Sequence, residues 1–234
     1  MNAFHGFIPP ELNHLSNLIH LDLSRNQFSG QIPPTLAQLT HLETLVLNDN
    51  QLNGSIPPEI GQLKSLNWLD LLNNFLGGAI PTSLGNISQL ISLNLHNNSL
   101  SGSIPPELGQ LSKLVFLKLL INRLSGLIPP TIWLLSTLKG LHLHHNRLSG
   151  QIPPTIVQLT HLESLFLNDN RLNGSIPQEI GHIKSLFEIH LQTNFLGGAI
   201  PTSVCNLSNL TNLNLFNNLP SGSMISHQRD MLQE

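Results

Sequence analysis

The chain has 234 residues and a formal net charge of −3, and only 10% of its residues are charged, against roughly 25% in typical soluble domains. This acidic balance argues against a partner such as nucleic acid or an anionic membrane surface. No apolar run reaches the about 18 residues of a membrane span, and a single cysteine, Cys205, excludes an intrachain disulfide. The first residues carry neither the basic nor the apolar segment of a signal peptide.

One unit of 24 residues, L-x-x-L-x-L-x-x-N-x-L-x-G-x-I-P-x-x-L-x-x-L-x-x, repeats along the chain without insertion or deletion. Eight complete units cover residues 18–209, a partial unit (4–17) precedes them, and a degenerate unit (210–234) follows. A fixed period of this length is typical of a solenoid, whose coils bury their leucines only by stacking on their neighbours. We therefore expect one continuous domain over residues 1–234.

The unit at 42–65 shows the local pattern. Leu45 and Leu47 alternate with variable residues, which predicts a short strand. Asn50 ends that strand, and its amide is expected to satisfy backbone groups where the chain turns inward. Gly54 occupies a further turn where a Cβ would crowd the chain, and Pro57 suits an irregular convex segment rather than a central strand.

The segment L-x-G-x-I-P recurs as LNGSIP at 52–57, LSGSIP at 100–105 and LGGAIP at 196–201. This pattern resembles plant-type leucine-rich repeats, as found in ectodomains of plant receptor-like kinases and receptor-like proteins and in polygalacturonase-inhibiting proteins. The resemblance implies an α/β solenoid: a right-handed superhelix with a parallel concave β-sheet, a second short strand near the I-P step, and an irregular or 3-10 convex side. It also implies an extracellular or cell-surface protein that recognises a protein, peptide or small ligand.

Units 18–89 and 138–209 match each other at an offset of 120 residues, with 47 of 72 aligned positions identical. The second, third, fifth, seventh and eighth positions of each unit match in only 3 of 15 pairs, whereas the other positions match in 44 of 57. Polar residues expected on the convex side still match, as Thr40 and Thr160 do, so exposure alone does not explain the difference. Two interpretations stay open: unconstrained surface drift, or a diversified concave recognition face.

The third and fifth positions are expected to face outward from the concave sheet, in continuous rows about 5 Å apart. Apolar and histidine residues gather there in the fifth unit and its neighbours. Exposed apolar groups rimmed by polar ones tend to mark contact sites, with aromatics as anchors, although isolated surface hydrophobic residues are common. The candidate ligand-binding residues are Trp68, Asp70, His96, Phe116, Lys118, Leu120, Ile121, His142, His144, His145, Phe166, Glu188 and His190.

The convex side of the fifth unit and the end of the chain also depart from the repeat. Trp133 and Leu134 are expected outside the core, as a lateral contact or as local packing over the coil edge. Pro220 and Met224 replace the usual leucine and isoleucine, and the polar tail after them is expected to fold over the last coil. Weakly capped ends that stack head to tail would give open filaments, so self-association is a second candidate.

We expect no catalysis, no cofactor and no metal site, because no recognisable catalytic triad, phosphate-binding loop or paired carboxylate motif is present. The twelve histidines leave open a pH-responsive interface or an ordinary polar surface. Sequons for N-glycosylation occur at Asn53, Asn86, Asn97, Asn173, Asn206 and Asn209.

The favoured function is therefore non-catalytic recognition of a protein, peptide or glycan through the concave face. The alternative is a structural, self-assembling repeat protein. The resemblance places the protein outside the cell or at its surface, whereas the start of this sequence leaves a cytoplasmic location open.

Overall fold

A computed structural model describes residues 4–219, so the expectations for Pro220, Met224 and the polar tail lie outside the described residues. The strands, numbered along the chain, are β1 His5–Phe7, β2 His20–Asp22, β3 Gln27–Gly30, β4 Thr44–Val46, β5 Gln51–Leu52, β6 Trp68–Asp70, β7 Gly77–Gly78, β8 Ser92–Asn94, β9 Ser99–Gly102, β10 Phe116–Lys118, β11 Arg123–Leu127, β12 Gly140–His142, β13 Arg147–Gln151, β14 Ser164–Phe166, β15 Arg171–Ser175, β16 Glu188–His190, β17 Phe195–Gly197 and β18 Asn212–Asn214.

The helical segments are short 3-10 turns of five residues, one in each coil. They are η1 Pro10–His14, η2 Pro34–Gln38, η3 Pro58–Gln62, η4 Thr82–Asn86, η5 Pro106–Gln110, η6 Pro130–Leu134, η7 Pro154–Gln158, η8 Gln178–His182 and η9 Thr202–Asn206. Each one follows the proline of the I-P step, which occupies the N-cap with extended backbone, as at Pro57 (φ −67°, ψ 132°). Because proline cannot donate to a strand ladder, the chain leaves the lateral sheet at this point.

Within residues 4–219 all strand pairs are parallel, and the main sheet contains nine strands in the order β2-β4-β6-β8-β10-β12-β14-β16-β18. Its register is offset by one whole unit, with Phe116 opposite Gly140 and Lys118 opposite His142. The second strands of the coils form a lateral three-stranded sheet, β1-β3-β5, and a lateral six-stranded sheet, β7-β9-β11-β13-β15-β17. The predicted concave sheet, second strand and 3-10 convex side are confirmed.

The core is one continuous column of leucine and isoleucine inside the coils. In the unit at 42–65, Leu45, Leu47, Leu52 and Leu63 have no exposed surface, and Ile60 is 1% exposed. The same positions are buried in most other complete units, so each coil contributes to a core that it does not close alone.

The unit asparagines form a ladder that satisfies the backbone at the inward turn. The Asn50 amide donates to the carbonyl oxygens of Leu23, Leu47 and Asn48 at 3.0–3.2 Å. Its Oδ1 accepts the backbone N–H of Phe28 in the preceding coil at 3.0 Å. The predicted role of this residue is confirmed, because one buried side chain satisfies backbone groups from two coils.

The residue before each of these asparagines has a left-handed backbone conformation. Nine such residues, from Arg25 to Asn217, have φ between 50° and 56°. Asn and Asp tolerate this region, whereas β-branched residues rarely adopt it. Ile121 (φ 50°) and Thr193 (φ 56°) are β-branched, so both are held in this conformation by the stacked coils around them.

The expectation that Trp133 lies outside the core was wrong. Its side chain is 1% exposed and belongs to the continuous core, whereas the neighbouring Leu134 is 57% exposed as expected. Trp133 stands where other units have glycine or a small apolar residue. The indole is therefore local packing between coils, and of this pair only Leu134 faces solvent.

Candidate functional site

The concave sheet brings the predicted aromatic and histidine residues into direct contact. The ring of Phe166, on β14, lies between the rings of His142 on β12 and His190 on β16, with centroid distances of 4.4 and 4.5 Å. His144 packs edge-on against Phe166 at 5.8 Å and against His145 at 5.3 Å. We call these five residues the histidine–Phe166 cluster. The fifth-position row of adjacent strands creates it, because β12, β14 and β16 pair in register.

Phe116 and Lys118 lie next to this cluster on β10. The Lys118 ammonium is 5.5 Å from the centroid of the Phe116 ring, a cation–π distance. Gly140 is opposite Phe116, and a Cβ at Gly140 would lie 3.0 Å from Cδ1 of Phe116 and 3.4 Å from Nε2 of His142. The glycine therefore lets the phenyl ring and the imidazole approach across the strand pair.

Trp68, Asp70 and His96 form a second group towards the N-terminal side. The Trp68 side chain is 41% exposed. The Asp70 carboxylate accepts the backbone N–H of Leu72 at 3.0 Å, yet burial raises its pKa above the ordinary value. Burial lowers the pKa of His96. Lys118 lies within electrostatic range of both Asp70 and His96, so it links this group to Phe116.

Two candidates from the fifth unit differ in accessibility. Ile121 is 40% exposed, but Leu120 is only 9% exposed, so the expectation that Leu120 offers a free contact surface was wrong. The stacked coils on either side cover it. Glu188 is half-buried on β16, opposite Ser164 of the neighbouring strand.

Two histidines of the cluster, His142 and His144, have lowered pKa values. Burial lowers the pKa of His142 to about 4, helped by the nearby charge of Lys118, and burial together with His145 lowers the pKa of His144 to about 4. Buried Nδ1 of His144, Nε2 of His190 and Oε1 of Gln192 have no hydrogen-bond partner among the described residues. An unpaired buried polar atom is unusual in a native structure. The cluster thus combines packed rings with unpaired polar atoms that lie beneath its surface.

Four residues that sequence reasoning did not single out support the site. Ser164 Oγ is 2.8 Å from Nε2 of His142, Asn94 bonds to the Asp70 side chain, and Gln192 adds an unpaired oxygen. Ser164 and Asn94 are themselves buried, although they occupy outward positions. The sequence does carry a signal for the fourth, Gly140: it is the one glycine in the third-position row.

The sequons mostly lie at exposed positions; Asn173 is half-buried. Asn97 already donates to Oδ1 of Asn73 at 2.8 Å, and Asn209 donates to the Lys184 carbonyl at 3.0 Å. Cys205 is an exposed free thiol. Between residues 4 and 219, no group of three potential metal ligands converges, and no helix is long and apolar enough to cross a membrane.

Family models for leucine-rich repeats match three parts of the chain. The models described as "Leucine rich repeat", "Leucine Rich repeats (2 copies)" and "Leucine Rich Repeat" match residues 136–196, residues 16–58, and residues 65–87 and 89–111. None of the curated protein sequences compared with the chain matches it.

Solved structures of plant receptors are similar over nearly the whole chain. The plant peptide hormone receptor RGFR1, solved in complex with RGF2, is 40% identical with a TM-score of 0.93, covering 96% of this chain and 36% of its own. The ectodomain of the Arabidopsis receptor kinase HAESA, in complex with an IDA peptide hormone ligand, is 34% identical with a TM-score of 0.81, covering 98% of this chain and 42% of its own. The chain therefore spans less than half of either receptor chain.

A plant ice-binding protein has the same fold at 28% identity, with a TM-score of 0.78, covering 95% of this chain and 71% of its own. The fold alone therefore accommodates more than one function. The period, the asparagine ladder, the parallel concave sheet and the matches all agree: the chain belongs to the leucine-rich repeat family, in its plant-type form.

Proposed function

We propose that the chain is a non-catalytic recognition module that binds a peptide or protein segment across the concave face, centred on the histidine–Phe166 cluster. The observation that carries this proposal is the position of the Phe166 ring between the rings of His142 and His190 on three adjacent strands of the concave sheet. Rings of this kind provide contact area at a low entropic cost.

The electrostatics of the site indicate which ligand it suits. The neutral His142 and His144 favour an apolar or aromatic ligand group, while Lys118 beside Phe116 offers a cation to a ligand carboxylate. A peptide lying across strands β10 to β16 would contact first Lys118 and then the uncharged imidazoles of His142 and His144. RGFR1 and HAESA were both solved with peptide ligands, which supports a peptide as the ligand class here. We also propose an extracellular or cell-surface location on the basis of these relatives.

The test uses linear peptides selected from a random display library on the purified chain and then titrated by calorimetry against variants. Phe116→Ala, Lys118→Ala, His142→Ala and Phe166→Val should each weaken binding about tenfold or more, as expected for anchors at an interface. Phe166→Val installs the residue that the duplicated unit carries at Val46, so the fold should tolerate it.

Val46→Ala, at the equivalent position in the second unit, is the matched control and should change affinity less than twofold. Unchanged affinity in all four variants of Phe116, Lys118, His142 and Phe166 would overturn the assignment. Sedimentation of the same preparations tests self-association, which stays a prediction: a strictly monomeric species at high concentration would rule it out.

A further inference from the structure

A column of arginines lies on the lateral sheet, on a face separate from the concave site. Arg123, Arg147 and Arg171 occupy the same position of three successive units and begin strands β11, β13 and β15. All three are exposed. Arg147 lies opposite Ser125 and Arg171 lies opposite Ser149, so each arginine has a serine of the preceding strand beside it.

These arginines have no partner in the part of the chain that the structure describes. None makes a side-chain hydrogen bond or an ion pair there, whereas Lys139 pairs with Glu163 and Arg25 with Asp49. Asp169, the nearest acid in sequence, contacts His145 instead. Diagonal neighbours in a sheet lie about 8 Å apart, close to the Debye length, so the three charges act as one cationic strip.

The strands that carry the strip contain no acidic residue; the carboxylate of Asp169, just before β15, is directed to His145. The other outward residues of the three strands are Ser125, Leu127, Ser149, Gln151, Asn173 and Ser175. These three strands have five residues each, more than any other strand described, so the strip lies on the most extensive part of the lateral sheet.

The duplicated units show that this charge is not required by the repeat. Gln27 stands where the duplicate has Arg147, and Gln51 stands where it has Arg171. LNGSIP follows in both copies of the second pair, and SGQIPPT follows in both copies of the first pair after one differing residue, Phe28 or Leu148. The exchange of glutamine for arginine at two positions of one column changes the charge of this face, whereas the turn and I-P segments after it stay the same.

We propose that the Arg123–Arg147–Arg171 strip binds a linear, carboxylate-bearing polysaccharide. Arginine pairs with carboxylates in bidentate geometry, and the serine, asparagine and glutamine side chains between the arginines suit sugar hydroxyls. Phe195 continues the column on β17, where it lies opposite Asn173 and is half-buried. A protein partner is less suitable, because Leu127 is the one exposed large apolar residue on strands β11, β13 and β15. A nucleic acid is less suitable, because the ring of Phe195 is half-buried and the protein is acidic overall.

The test is calorimetric titration of the whole chain, produced without N-glycans so that Asn173 is bare, with an alginate hexasaccharide at low ionic strength. Maltohexaose, a neutral hexamer, is the chemical control. The double variant Arg147→Gln/Arg171→Gln carries residues that the duplicated units tolerate and should bind alginate about tenfold more weakly. Raising the salt concentration should weaken binding by the intact chain.

The matched protein control is Arg25→Gln/Lys113→Gln, which changes the net charge equally elsewhere and should bind within twofold of the intact chain. Gln27→Arg/Gln51→Arg extends the cationic surface to the first two units and should strengthen binding. The proposal is overturned if alginate does not bind, if both double variants lose affinity equally, or if poly-glutamate of similar length binds the strip as tightly as alginate. The concave-face variants should leave alginate binding unchanged, which separates this site from the proposed peptide site.

Discussion

The imidazole of His142 stacks on the phenyl ring of Phe166, with ring centroids 4.4 Å apart and ring planes inclined by 13°. The stack covers one face of the imidazole while its Nε2 stays within 2.8 Å of Ser164 Oγ. A histidine held in this way is disfavoured in its charged form, because protonation would place a cation in a partly desolvated site. This stacking therefore connects the packing of the concave face to the pH dependence of folding stability.

The first prediction is that folding stability falls in mild acid. An unfolded histidine is protonated near pH 6.5, but folded His142 and His144 are protonated only near pH 4. Between these values the unfolded state binds more protons, so stability present above pH 6.5 is lost as the pH falls towards 4. The urea midpoint should drop between pH 7.5 and 4.5, and His142→Asn/His144→Asn should reduce the drop. The control His14→Asn, at an exposed position, should not reduce this drop. An equal reduction in the control would contradict the role given to His142 and His144.

The second prediction concerns the asparagine ladder. Asn50→Ala removes the acceptor of the Phe28 N–H and the donor to the Leu23 carbonyl. Leaving buried backbone groups unpaired should lower the free energy of unfolding by about 1–3 kcal/mol. Urea denaturation followed by circular dichroism measures the loss. Asn53→Ala, at an exposed position of the same coil, should change it by less than about 0.5 kcal/mol, and equal losses would argue against the ladder as the cause.

The third prediction is that Ile121→Asn stabilises the fold but weakens peptide binding. Ile121 holds φ 50°, a region costly for a β-branched residue, whereas Asn97 occupies the same position of the preceding coil at φ 53°. Relief of this strain should add about 1 kcal/mol. Ile121→Val keeps the branched Cβ and should not stabilise. If Ile121→Asn binds selected peptides as tightly as the intact chain does, Ile121 is not part of the recognition surface.

The fourth prediction separates two glycines of neighbouring coils. A Cβ at Gly61 would overlap the backbone oxygen of Ser83 in the next coil, whereas a Cβ at Gly77 would meet only the Ser99 oxygen, at 3.9 Å. Gly61→Ala should therefore cost about 1–3 kcal/mol through forced separation of the 3-10 segments. Gly77→Ala should stay within about 0.5 kcal/mol. Thermal unfolding of both variants decides, and equal melting temperatures would contradict the packing argument.

The 24-residue period by itself determined the architecture. Because each position recurs in every coil, the burial of Leu45, the role of Asn50 and the 3-10 segment after Pro57 could be predicted from one unit and applied to the rest. The contrast between duplicated units also indicated the concave rows where Phe166 and His142 meet. Periodicity makes such predictions reliable, because each residue packs against the residues at the same unit position in the coils before and after it.

Only the tertiary structure decided the residues that depart from the period. Trp133 is buried and Leu120 is covered, because space between adjacent coils, and not residue type, sets their exposure. The positive φ of Ile121 follows from the turn that all coils share. The protonation of His142 depends on rings and charges from other strands, and the unpaired strip of Arg123, Arg147 and Arg171 depends on which acids lie within reach. Each of these properties belongs to contacts between coils, which sequence spacing alone does not specify.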